Sequence, residues 1–146
     1  MATVELRFSA LPEHVRTARL VAAAVARRAG VDEAVLDEVR LAVGEACSRA
    51  VGLHQSSGIT APVKVALIEE EKQFSIEVGD EAPHAAPGGG EPGAAADDPD
   101  AEAEEDEMGL AVISGLVDDV EVSTGEHGGL IRMRWPTTPP PAAALP

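Results

Sequence analysis

Val4, Leu6 and Phe8 alternate with Thr3, Glu5 and Arg7, the period-two pattern of a half-buried strand. Leu11-Pro12-Glu13 then predicts a helix start, because a proline in the first turn lacks only an N–H that would have no helical partner anyway. That helix carries Val15, Ala18, Val21, Ala22 and Val25, has Arg27 and Arg28 in its last turn, and stops at Gly30, as the macrodipole and left-handed glycine caps favour. Asp32 is a good cap for a second helix, whose apolar stripe is Leu36, Val39, Val43, Cys47 and Ala50. At about 100° per residue, Glu45 projects about 180° from Leu36. Arg49 lies one turn further on the same side. Glu45 therefore points away from the apolar stripe.

The stretch from Leu53 to Ala61 reads as a polar loop. Val63, Val65 and Leu67 alternate, as do Phe74, Ile76 and Val78, with Glu69-Glu70-Glu71-Lys72 between them; this predicts an antiparallel hairpin. From Met108 to Val117 the helical period returns. Val120 and Val122 predict a strand, residues 125 to 129 a turn, and Ile131, Met133 and Trp135 a final strand. The order β-α-α-β-β-loop-α-β-β implies an α/β (α+β) two-layer sandwich, with a mixed, mostly antiparallel sheet covered on one face by helices. One domain is expected over residues 3–135. It is interrupted over 81–107 by an acidic Pro/Gly/Ala-rich insertion and followed by a Pro/Ala tail over 136–146. Neither segment can bury apolar surface, so both are expected to be disordered.

Composition sharpens this picture in two places. Aromatic residues are limited to Phe8, Phe74 and Trp135, so the core must be built from Val, Leu, Ile and Ala. The formal charge of −15 is concentrated: 11 acidic residues and no Lys or Arg lie between Asp80 and Glu107, leaving 15 acids against 11 bases elsewhere. Nucleic-acid binding needs clustered positive charge, so no nucleic-acid partner is expected. A lone cysteine, Cys47, excludes an internal disulfide, and neither a signal peptide nor a long apolar run is evident. The chain reads as cytoplasmic, with no membrane partner. His14, His54, His84 and His127 show no metal-ligand spacing, so no metal site is assigned.

A carboxylate in mid-helix (Glu45), an Asp after an apolar strand (Asp80) and a Gly-Leu helix start (Gly109, Leu110) occur here in that order. Together they resemble the ATP sites of Bergerat-fold (GHKL) proteins. The wording Glu45-Ala46-Cys47-Ser48-Arg49-Ala50-Val51 is similar to the bacterial anti-sigma-factor serine kinases. The resemblance covers roughly residues 3 to 135, the insertion at the ATP-lid position excepted. It implies ATP as cofactor, with Glu45 as the general base that activates a hydroxyl. It also implies Arg49, Asp80, Met108, Gly109 and Leu110 as the nucleotide-binding set, Asp80 accepting a hydrogen bond from adenine and the helix start cradling phosphates.

Three positions depart from that family. Arg49 stands where the family has a magnesium-holding Asn, Ala82 where it has the Gly of Asp-x-Gly, and Glu107 where it has the first Gly of Gly-x-Gly-Leu. Arginine offers only donors and a fixed positive charge, whereas magnesium takes oxygen ligands; magnesium binding is therefore expected to be lost or weak. Plainer roles stay open for each residue. Glu45 and Arg49 make an i,i+4 pair on a helix surface, Asp80 makes a turn residue, and Glu104, Glu105, Asp106 and Glu107 suit a helix dipole.

Two functions follow from the resemblance. One is an anti-sigma-factor-type regulator that binds a sigma factor, an anti-sigma antagonist of the small α/β STAS type, or both, as a homodimer. In it, Arg16, Arg19, Arg27 and Arg28 would face the partner and nucleotide binding would be weakened or lost. The alternative is an active ATP-dependent protein-serine kinase that phosphorylates the antagonist.

Overall fold

Each strand foreseen from alternation lays its apolar residues on one face of a five-stranded sheet of order β1-β2-β3-β5-β4. The computed structural model describes residues 2–83 and 109–138. Its elements are β1 (Ala2–Phe8), α1 (Pro12–Ala29), a 3-10 turn (Glu33–Val35), α2 (Leu36–Ser56), β2 (Val63–Glu70) and β3 (Gln73–Asp80). Helical residues 109–116 (α3), β4 (Asp119–Gly125) and β5 (Gly128–Pro136) follow. The register carries one apolar row across four strands: Val4 opposes Leu67, Leu67 opposes Ile76, and Ile76 opposes Met133. A parallel row runs from Leu6 through Val65 and Val78 to Ile131. The alternate residues, Glu5, Ala66, Glu77, Arg132 and Glu121, line the helix-free face.

All four strand pairs among the described residues are antiparallel, where a mixed sheet was expected. The cause is the connection. Two helices lie between β1 and β2, so the chain crosses the layer twice and β2 returns opposite to β1. At the other edge β4 runs in the same sense as β3, but β5 inserts between them and opposes both. The expected insertion is described only at Glu81, Ala82 and Pro83; residues 84–107, with His84 and Glu104 to Glu107, lie outside the described residues, as do Met108 and 139–146 of the tail. The first residues of that expected tail are built into the fold. Pro136 closes β5, Thr137 N–H donates to Lys72 O at 3.1 Å, and Thr138 N–H donates to Gly30 O at 3.0 Å.

Both long helices stop by the same device. Gly30 (φ 101°) sends its N–H to Arg27 O while Val31 N–H reaches Ala26 O. Gly58 (φ 66°) sends its N–H to Gln55 O while Ile59 N–H reaches His54 O. These paired bonds satisfy the last helical carbonyls and require a left-handed residue that glycine adopts without strain. Asp32, expected to cap α2, instead accepts from Ala34 N–H at 3.0 Å and starts the 3-10 turn.

The second of these stops corrects the reading of Leu53 to Ala61 as a loop. α2 continues to Ser56, and His54 is wholly buried in its last turn. Its Nδ1 lies 2.9 Å from Ala61 O and its Nε2 accepts Glu81 N–H at 2.9 Å. A carbonyl can only accept, so Nδ1 carries the proton and the ring is held as one neutral tautomer. His54 thereby ties the end of α2 to the residue that follows β3.

Phe74 and Trp135, cross-strand partners with ring centroids 6.3 Å apart, are the buried aromatic residues among those described. Trp135 Nε1–H donates to Glu38 Oε2 at 2.9 Å, which satisfies the one polar atom of that ring. Cys47 is fully buried, and desolvation pushes its thiol up to about 12; it is a small core residue rather than a nucleophile.

A β-carbon at Gly30 would stand 2.6 Å from Thr138 O on a backbone few side chains adopt. Gly30→Ala should therefore lower stability by about 1–2 kcal/mol or more in urea melts. Gly52, in α2 with open space around it, should respond oppositely, Gly52→Ala raising stability by about 0.5–1 kcal/mol. His54→Ala strands the Ala61 carbonyl and the Glu81 amide and should cost about 2–4 kcal/mol, with faster hydrogen exchange at Glu81 N–H. A loss below about 0.5 kcal/mol, within the range of ordinary surface changes, would show that the histidine does not join these segments.

Candidate functional site

Helix α2 is enclosed on several sides. Val39, Ala42, Val43, Gly44, Ala46, Cys47, Ala50 and Val51 are all buried, a wider arc than the single stripe expected. The sheet takes one side and α1 another: a β-carbon on Gly44 would lie 2.8 Å from Arg19 Cδ. The helix therefore has little freedom to rotate, and its remaining positions project in set directions. Glu45, half-buried, is one of them. Its Oε2 is 3.9 Å from where a β-carbon on Gly109 would sit, so the carboxylate faces the first described turn of α3. Leu110 packs against the core and Ile113 is fully buried, which seats α3 beside α2.

One turn further along α2, the Arg49 side chain is 6% exposed and its Nη1 lies 4.0 Å from Asp80 Oδ2. Asp80 is the last residue of β3 and its side chain is 3% exposed. Its other oxygen, Oδ1, accepts Ala82 N–H at 3.0 Å. Asp80 thus ends its strand with a local turn bond, the plainer of the two roles weighed for it, and turns its other oxygen toward α2. A buried guanidinium and a buried carboxylate each carry a large desolvation cost, and their mutual attraction offsets it only while both are present. Removing either one takes away part of that compensation.

The structure therefore brings Glu45, Arg49, Asp80, Gly109 and Leu110 to one side of α2. Two of its features escaped the pattern of the chain. The pairing of Arg49 with Asp80 joins a mid-helix position to a strand end, and no spacing rule links those. His54, which holds Glu81 next to Asp80, was hidden by the misplaced end of α2; the Ser-Ser-Gly at 56–58 was the available signal for it.

A magnesium ion at the position the resemblance implies does not fit these side chains. The residue there is a guanidinium, which supplies no oxygen and already carries positive charge, and it faces Asp80 rather than leaving that carboxylate open. Among the described residues, no group of three or more His, Cys, Asp or Glu side chains could hold a metal ion.

The arginines of α1 divide into two kinds. Arg27 pairs with Glu33 at 3.1 Å and Arg28 with Glu69 at 2.8 Å, so these two serve the fold itself. Arg16 and Arg19 are exposed near the exposed Leu20. On the helix-free face, a hollow lined by Ile68, Glu70, Gln73, Ser75, Glu77, Arg132 and Arg134 lies across the sheet from Asp80. Its cations are engaged internally: Arg132 with Glu77, and Arg134 with Asp119 at 2.9 Å and Glu121 at 3.1 Å. The hydrogen bond from Arg134, then its charge, holds the Glu121 carboxyl below the usual range. That face carries a charge network and none of the residues singled out from the sequence. No helix among the described residues is long and apolar enough to cross a membrane.

Comparison with known proteins completes the description. No curated protein sequence is significantly similar to this chain. Among solved structures, the RsbU and RsbW domains of Rv1364c from Mycobacterium tuberculosis align with a TM-score of 0.65 at 15% identity. The match covers 92% of this chain and 31% of that one, so this chain spans about a third of its length, and at such identity the likeness concerns the fold. The family of the histidine kinase-like ATPase domain matches residues 8–135, from the last residue of β1 to the penultimate residue of β5. By that match this chain belongs to the histidine kinase-like ATPase domain family.

Proposed function

We propose that this chain is an anti-sigma-type regulatory protein of the cytoplasm, which controls transcription by binding a sigma factor, an anti-sigma antagonist or both, with nucleotide binding weakened or lost. The observation that carries this reading is Arg49: a buried cation at the expected magnesium position, facing the carboxylate expected to read adenine. Phosphoryl transfer relies on a metal that bridges phosphate oxygens and neutralises developing charge. A protein that keeps the scaffold and loses the metal seat retains shape as its means of action.

The partner surface of this reading is the outer side of α1 and α2. Leu20 is 57% exposed and Leu41 is 55% exposed, beside Arg16 and Arg19, whose charge would steer and orient an acidic partner. Arg27 and Arg28, which also stood in the expected contact surface, are committed to Glu33 and Glu69 and are left out of it. Homodimer formation belongs to the same proposal, and the resemblance alone supports it.

A kinase reading rests on one observation, the Glu45 carboxylate facing Gly109, which is where a base would stand if ATP lay across α3. The two readings diverge in a single experiment. The purified protein is immobilised, the native cytosol is passed over it without added nucleotide, and captured proteins are identified by mass spectrometry. A sigma factor or a small STAS-type protein should be retained, and Arg16→Glu/Arg19→Glu should cut retention by about tenfold, as expected for opposed charges at an interface. Absence of both partner classes would contradict the regulatory reading. Transfer of labelled phosphate from ATP to the captured antagonist, abolished by Glu45→Ala, would establish the kinase instead.

A further inference from the structure

We infer that Arg49 and Asp80 form an internal latch across the nucleotide cradle, and that this arginine sets the cradle's selectivity against magnesium and adenine nucleotide. The inference deepens the reading above and rests on it, since it concerns the same site.

Three observations meet at this pair. The first is chemical. The Arg49 guanidinium brings donors and a permanent charge to the position where an amide oxygen would hold the metal, so a divalent cation there meets repulsion and no ligand. The second is geometric. Asp80 already gives Oδ1 to Ala82 N–H at 3.0 Å and turns Oδ2 toward Arg49 Nη1 at 4.0 Å. An adenine amino group would have to compete with the chain's own donors for that carboxylate. The third is burial. With side chains 6% and 3% exposed, neither charge can leave the other for water at low cost, so each holds its partner in place.

Two other described parts of the site keep their places around this latch. Glu45 still faces Gly109, and His54 fixes the backbone at Glu81, next to Asp80. Arg49→Asn should act at both ends of the site, supplying an oxygen for magnesium and withdrawing the cation that Asp80 Oδ2 faces.

The test is calorimetric titration of the full chain with ATP, in magnesium and in EDTA. The wild type should respond weakly and equally in the two conditions. Arg49→Asn should bind at least about tenfold more tightly in magnesium, a gain of about 1.4 kcal/mol, and show no gain in EDTA. Arg49→Asn/Asp80→Ala should lose that gain. Circular dichroism and urea melting establish that each variant is folded; should Arg49→Asn fail to fold, Arg49→Gln carries the same expectation with a longer amide. Tight, magnesium-dependent binding by the wild type would overturn the latch, as would a folded amide variant without the gain, or a gain that survives Asp80→Ala. The outcome is separable from partner capture, because a wild-type protein that retains a sigma factor keeps its regulatory reading whatever Arg49→Asn does.

Discussion

The confinement of α2 governs this structure. A helix buried against a sheet, against α1 and beside α3 cannot rotate to relieve an unfavourable side chain, because close-packed interiors yield little. Its polar residues must find partners where the packing leaves them. Glu45 finds the first described turn of α3, and Arg49 finds the end of β3. The aliphatic composition of the core serves this arrangement. Buried alanines on α1 and α2 let the helix layer sit close to the Val, Leu and Ile rows of the sheet, and glycine at position 44 lets Arg19 of α1 lie across α2.

Within that frame, a guanidinium and a divalent cation are alternative answers to one electrostatic need. A buried carboxylate at the end of β3 requires nearby positive charge or hydrogen-bond donors. Here a covalently attached side chain meets that need at all times, whereas a nucleotide and its metal would do so only when bound. The carboxylate at the end of β3 therefore has a cation beside it without any ligand, as the proposed regulatory role would require. His54 strengthens the same end of the molecule. By taking one bond from Glu81 and giving one to Ala61, it keeps the strand end beside Asp80 from moving independently of α2.

Much of this was legible in the chain because local rules wrote it. Alternation placed all five strands, helical spacing and Gly30 bounded α1, and Glu45 was rightly turned away from the apolar stripe. The errors arose where a tertiary connection overrode a local signal. The leucine-to-alanine stretch over residues 53–61 looks polar, yet packing of His54 and the left-handed Gly58 carry the helix onward. The strand directions depended on how many helices cross the layer, which the element order contained but the expectation of a mixed sheet did not use. Arg27 and Arg28 looked like a partner surface on the helix, and the fold pairs them with Glu33 and Glu69 across gaps that periodicity does not encode. The Arg49–Asp80 pair belongs to the same class: two ordinary charged residues far apart in sequence, meaningful only once α2 and β3 lie side by side.

The energetic coupling of those two residues tests the account most directly. Urea denaturation of the wild type, Arg49→Met, Asp80→Asn and the double variant closes a cycle that isolates their interaction from the separate cost of each change. The account predicts a favourable coupling of about 1–3 kcal/mol, with the double variant less damaged than the sum of the single ones. Additive losses, within about 0.5 kcal/mol, would contradict it, because the guanidinium would then stabilise something other than the carboxylate at the end of β3.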